Sequence, residues 1–174
     1  MTDLIIRSAV SSDAASLAAL QERTFRATFG ADNNADDMDQ HCRNHYGTAI
    51  QSAEICDPTL TTLVCDDMGT LVGFVQLRQA AVPNQPVQYS AMEIQRIYLD
   101  AAWHGRGLAQ RLMENALEHA RKHGALRLWL GVWERNPRAI GFYKKFGFAE
   151  CGEHIFMVGS DPQRDLILQR EISY

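Results

Sequence analysis

The chain lacks a long apolar run, an excess of basic residues and a cysteine pairing pattern, and each absence removes a class of protein. No stretch approaches the ~18 apolar residues of a membrane-spanning helix. The opening MTDLIIRSAV has no basic region followed by an apolar core of about 7–15 residues, so no secretory leader is expected and a cytoplasmic protein is the simple reading. Lys and Arg number 17 against 21 Asp and Glu, a net charge of −4. Phosphate backbones are bound by clustered cations, so nucleic acid is not the expected partner and a neutral or cationic ligand fits better. Cys42, Cys56, Cys65 and Cys151 form no C-x-x-C pair, and only His41 and His45 stand near one of them at ligand spacing. They read as structural or surface thiols, with no metal expected. Low-complexity tracts and internal repeats are missing too. With 46% hydrophobic and 22% charged residues, the 174 residues suit a single domain, 1–174, with its own core.

What is present alternates between two periodicities. LIIRSAV is short and β-branched, and SSDAASLAALQERTF follows with Ser and Asp at a cap and Leu17, Leu20 and Phe25 behind it, which predicts a strand and then a helix. Residues 31–57 are polar, carry Asp32, Asp36, Asp37 and Asp39, and predict one or two short helices. TLTTLVCDD, a turn at MGT, and LVGFVQLRQA predict a hairpin. AVPNQP breaks that pattern before SAMEIQRIYLD adds a third strand. Leu108, Leu112, Met113, Ala116, Leu117 and Ala120 then recur at helical spacing up to a stop at Gly124. LRLWLGVW predicts a strand, NPRAIGFYKKFGF a helix with an Asn cap and Pro in its first turn, and FAECGEHIFMV and DLILQREI two closing strands. The predicted class is α/β, built around one mixed sheet.

Gly105 and Gly107 demand an explanation, because glycine costs a helix roughly 1 kcal/mol relative to alanine, yet both stand where the strongest helix begins. A glycine turn leading into a helix leaves main-chain amides unpaired at the positive end of the dipole, which makes an anion site, with Arg106 at its rim. HGRGLA is not a Walker A loop, having no Lys-Ser or Lys-Thr at the required spacing, and it is not G-x-G-x-x-G, since Gln110 stands at the last position. Alone, the loop is equally a structural turn.

Its neighbours resemble the GNAT superfamily of N-acetyltransferases. His104-Gly105-Arg106-Gly107-Leu108-Ala109 occupies the positions of the family's Gln/Arg-x-x-Gly-x-Gly/Ala pattern, IQRIYLD resembles the fourth strand, and LWLGVWERNPRAIGFYKKFGF resembles the second signature. The resemblance covers residues 4 to 172. It implies the GNAT acyl-CoA N-acyltransferase fold: a central mixed, mostly antiparallel sheet flanked by helices and splayed between strands four and five. It also implies acetyl-CoA as co-substrate. The amides of Gly105, Arg106, Gly107, Leu108, Ala109 and Gln110 would cradle the pyrophosphate, and the main chain of Ile97, Tyr98 and Leu99 would pair with pantetheine. Asn136 would bond the pantetheine arm. His104 departs from the pattern, but at a position that acts through its backbone.

By the same resemblance Tyr143 would be the general acid that protonates the departing thiolate; the alternative is a core tyrosine beside Phe142 and Phe146. Family members often place a glutamate base on the fourth strand. Gln95, which aligns with it, cannot serve, so Glu93 is the candidate, acting through a water relay, on the face that alternation assigns to Gln95, Ile97 and Leu99. Its alternative is a solvated carboxylate. Within the superfamily the chain looks most like the bacterial polyamine N-acetyltransferase branch, implying a primary amine acceptor. The acidic run at 32–39 would suit a polycation, or simply caps helices; Trp129 and Trp133 share a face that either walls the cleft or fills the core. Acetylation of protein N-termini or lysines, and a non-catalytic acyl-CoA sensor, stay open. A homodimer is implied by resemblance alone.

Overall fold

The two periodicities sort into one sheet and five helices. In the computed structural model, which describes residues 4–85 and 90–173, the strands are β1 (Leu4–Ser8), β2 (Leu60–Asp67), β3 (Thr70–Gln79), β4 (Ala91–Leu99), β5 (Arg127–Trp133), β6 (Ala149–Val158) and β7 (Asp161–Glu171). Their order across the sheet is β1-β2-β3-β4-β5-β7-β6. Every neighbouring pair is antiparallel except β4 and β5, which run parallel. The helices are α1 (Ala14–Phe29), α2 (Ala35–His45), α3 (Thr48–Cys56), α4 (Leu108–Lys122) and α5 (Pro137–Lys145). Pro86, the end of the predicted break before β4, lies outside the described residues. Among the described residues no helix is long and apolar enough to cross a membrane.

Each sheet face is sealed by the helices whose stripes the sequence announces. Leu108, Leu112, Met113, Ala116 and Ala120 of α4 pack with Tyr143 of α5 against Val75, Leu77, Ile94, Leu128 and Leu168. On the opposite face Leu17 and Leu20 of α1 meet Val64, Leu71 and Phe74. Burying a Leu side chain contributes roughly 1.5–3 kcal/mol, so these two layers supply most of what holds the sheet flat between helices. A smaller cluster, Phe25, Met38, Cys42 and Val158, joins α1 and α2 to β6.

Two irregularities shape the middle of the sheet. Strands β4 and β5 pair only from Ala91↔Arg127 to Glu93↔Trp129; beyond that the two strands diverge. The second is a β-bulge: Gln76 of β3 pairs with Arg96 but its neighbour Leu77 pairs with Ile94, leaving Gln95 as the extra residue. The bulge overturns the alternation expected for β4. Glu93 pairs with Arg78, which shares a face of β3 with Gln76, so Glu93 falls on the same face as Arg96 and Tyr98 and not with Ile97 and Leu99.

Helix α2 is tied to the far edge of the sheet by a small clasp. The Asp37 carboxylate accepts hydrogen bonds from the Ser160 amide at 2.6 Å and its hydroxyl at 2.8 Å. This places Asp37 against the β6–β7 turn, where Gly159 has φ +59 and a Cβ would lie 2.5 Å from the Asp37 Cα. Replacing Gly159 therefore strains the backbone and pushes α2 outward. Gly159→Ala is expected to cost roughly 1–3 kcal/mol, lowering Tm by roughly 2–10 °C, as thermal unfolding would show.

Candidate active site

The glycine turn adopts the geometry its sequence requires. Gly105 and Gly107 have φ +75 and +76, the left-handed region where a side chain is strained, and no atom lies within 4 Å of where a Cβ would stand at either. The turn opens directly into α4. Helical bonding starts only at Arg111, whose amide donates to the Gly107 carbonyl at 3.1 Å; among the described residues the amides of Gly105 through Gln110 donate to no main-chain carbonyl. A row of free amides thus stands over open space at the positive end of a helix with a long apolar anchor. The Arg106 guanidinium lies 5.3 Å over the Trp103 ring at the rim.

This rim borders a cleft of about 1150 Å³ that fills the gap between the diverging β4 and β5. Ile97, Tyr98 and Leu99 line it from β4, His104 and Ala109 from the turn, and Asn136 and Tyr143 from α5. Leu108 buries its side chain in the core, so only its amide belongs to the rim. Asn136 caps α5: its side-chain oxygen accepts from the Ala139 amide at 3.1 Å, which leaves its NH₂ group for other partners. Arg135 and Arg138 line the cleft on either side of that cap.

Tyr143 is 8% exposed, its ring packed edge-on against Phe142 and Phe148. Core residue and cleft residue are not exclusive here: the ring belongs to the core cluster while the residue lines the cleft. Burial pushes the hydroxyl pKa further up from its ordinary value, so the phenol is protonated at neutral pH.

Glu93 does not join this constellation. It sits in the hydrogen-bonded part of the β4–β5 pair, outside the cleft wall, with its carboxylate 2.5 Å from Arg78 Nε. Its carboxylate is held by Arg78 and does not line the cleft, so only a water relay would connect it to an acceptor there. Gln95 does line the cleft, with its side-chain oxygen buried and without a hydrogen-bond partner among the described residues.

The wall facing α1 and α2 is aromatic. Phe29 and Trp133 meet at 5.5 Å, and His41 stacks between Phe25 and His45, each 4.2 Å away. Burial drives the His41 imidazole down to about 4, leaving it neutral. Trp129, by contrast, is core: its Nε1 donates to the Ala80 carbonyl at 2.9 Å. The acidic run also divides. Asp36 sits in the first turn of α2, Asp37 holds Ser160, and Asp39 pairs with Arg26 at 2.8 Å. Asp32 alone of the four lines the cleft.

The principal residue that sequence reasoning missed is Asp165. It lies in a row with Trp133 of β5 and His154 of β6, is 9% exposed, and lines the cleft. Alternation in DLILQREI places it on one face with Ile167, and an acid at an inward position of a closing strand is the signal that could have found it.

Comparison with known proteins agrees with this geometry. The Acetyltransferase (GNAT) family model matches residues 16–148. An uncharacterized N-acetyltransferase of Lactobacillus delbrueckii subsp. lactis is 33% identical over 99% of both chains. The spermine/spermidine N(1)-acetyltransferase of Bacillus subtilis is 25% identical, covering 70% of this chain and 85% of that one. Among solved structures, the PaiA N-acetyltransferase of Thermoplasma acidophilum, in complex with coenzyme A, superposes with a TM-score of 0.80 at 21% identity, covering 97% of this chain and 99% of that one. With a parallel pair splayed inside an otherwise antiparallel sheet, an amide-lined glycine turn at its mouth and a family match across most of its length, the chain belongs to the GNAT family of acetyl-CoA-dependent N-acetyltransferases.

Proposed function

We propose that the chain transfers the acetyl group of acetyl-CoA to a primary amine of a small cationic acceptor of the polyamine class, by direct attack within a ternary complex. The observation that carries this reading is the convergence of three elements on one cleft: the amide row at Gly105–Gln110, which reaches the cleft wall at Ala109 beside His104, the unpaired edge of β4 and the hydroxyl-bearing Tyr143. Bound acetyl-CoA supplies an activated acyl thioester. The chain's own groups hold its phosphates and extended arm, exclude water with the aromatic wall, and manage two protons. Tyr143, protonated at neutral pH, is suited to hand its proton to the leaving thiolate and to recover one from the nitrogen.

The cationic acceptor is supported by Asp32 and Asp165 in the α1-facing half of the cleft, among rings that accommodate the methylenes of a polyamine. A 25% identical relative is named for spermine and spermidine. Arg23 and Arg96, which also border this half, are neutralised by Asp100 and Glu54.

Tyr143→Phe is expected to lower kcat at least tenfold while the Kd for acetyl-CoA stays within twofold; an unchanged kcat would take Tyr143 out of the acid role. In isothermal titration, Gly107→Glu should raise the Kd for coenzyme A at least tenfold by setting a negative side chain over the amide row, and undiminished affinity would remove the loop as the pyrophosphate cradle. Thiol release from acetyl-CoA is to be measured with spermidine, spermine, a peptide with a free N-terminus and a lysine peptide. The highest kcat/KM belongs to a polyamine under this reading. Faster turnover of a peptide reassigns the acceptor, and binding without turnover of any amine makes the protein a sensor.

A further inference from the structure

With Glu93 engaged by Arg78 and outside the cleft lining, no carboxylate on β4 lines the cleft, and an amine is almost wholly ammonium at neutral pH. We infer that Asp165 receives the acceptor's ammonium and takes its proton, with His154 behind it as the positioning group through which that proton leaves. The inference rests on the acetyl transfer proposed above.

Asp165 is the carboxylate best placed for this. In the sheet it is flanked by Trp133 on the cleft side and His154 on the edge side, a row that leads from the open splay outward. Its side chain is 12% exposed and that of His154 35% exposed, so the pair has an inner end in the cleft and an outer end nearer solvent. The two side chains stand 3.7 Å apart, Oδ2 to Nε2. Gly131 makes the arrangement feasible: a Cβ there would come within 3.0 Å of His154 Nε2 and 3.3 Å of Asp165 Oδ2. Asp165 and Tyr143 line the same cleft, Asp165 on the α1-facing side beside Trp133 and Tyr143 on the α5 side.

A carboxylate this buried, with a single imidazole for an ionic partner among the described residues, is incompletely compensated. An ammonium in the cleft would complete it. Burial raises the carboxyl above the ordinary range and the His154 charge pulls it back down, which brings it nearer the basicity a proton acceptor needs. The other titratable groups on this part of the wall, among the described residues, are His41, His45 and Tyr46 from α2 and its end, Asp32 from the turn after α1, Arg23 held by Asp100, Tyr98, and Arg96 held by Glu54.

The protons balance. The ammonium gives its first proton to Asp165, which passes it by way of His154 to solvent. The free amine's lone pair forms the new C–N bond as the C–S bond breaks. Tyr143 protonates the thiolate and recovers the second nitrogen proton, leaving an amide, a thiol and one proton released.

Asp165→Asn tests this with spermidine as the amine, in thiol-release assays from pH 6 to 10. Expected is roughly a hundredfold loss of kcat/KM for spermidine at pH 7, with the Kd for acetyl-CoA and Tm held. The wild-type rate should fall on the acid side as the carboxyl protonates; the variant should lose that limb and climb with pH as free amine accumulates. His154→Gln removes the imidazole beside the carboxylate and should move the acid limb of the profile to higher pH. Retention of kcat/KM within threefold, an unaltered limb, or a loss accompanied by failure to bind acetyl-CoA would each overturn the assignment. If wild-type enzyme releases thiol with none of the four amines, the proposed function falls first and this assignment with it; if wild type turns over and Asp165→Asn matches it, only this assignment falls.

Discussion

Most of the architecture follows from hydrogen bonds that β4 and β5 do not make. After Glu93 and Trp129 the two strands part, and the facing amides and carbonyls are left without the ladder partners a continuous sheet would give them. Buried polar groups without partners cost about 1–3 kcal/mol each, so such a gap persists only if it is wet or receives an extended ligand with its own donors and acceptors. Because β4 and β5 are parallel, both chains leave the sheet on the same side. Each then turns into a helix, α4 after the glycine turn and α5 after the Asn136 cap, so two helix N-termini converge at the mouth of the gap. Positive main-chain potential and unpaired strand edge are therefore products of one topological decision.

The gap also separates two chemistries. From one face α5 contributes Tyr143 on an apolar bed, where only its protonated form is comfortable. The other face, beneath α1 and α2, contributes rings and a few partly compensated acids. Charge is scarce on the first side and managed on the second, which suits a reaction whose leaving group must gain a proton and whose nucleophile must lose one.

The sequence announced its elements well where local chemistry settles them. The α4 stripe, the Asn136-Pro137 start of α5 and the turn at Met68-Gly69 each carry their signal within a few residues, and so does the amide row, since φ > 0 at two glycines before a helix is a local matter. The face expected for Glu93 went wrong because period-2 counting assumes an unbroken strand; the bulge at Gln95 comes from pairing with β3, which no window on β4 alone contains. Trp129 and Trp133 look alike in sequence and part company because one lies beside the closed section of the splay and the other beside its open end. Asp165 shows in sequence only as an acid at an inward position; its place beside Gly131 of β5 and His154 of β6 comes from strand pairing that no window on β7 alone contains.

The bulge at Gln95 makes β4 a strand that must be counted. Arg96 reaches Glu54 and Gln21 on one face, while Ile94 and Leu99 pack into the α4 core on the other. Loss of Gln95 alone would close the bulge and leave Ile94 opposite Leu77 and Arg96 opposite Gln76, whereas a one-residue change that kept the bulge would slip one half of the strand against β3 and reverse its facing. Register, set by that one extra residue, decides which side chains of β4 meet the α4 core and which meet α1.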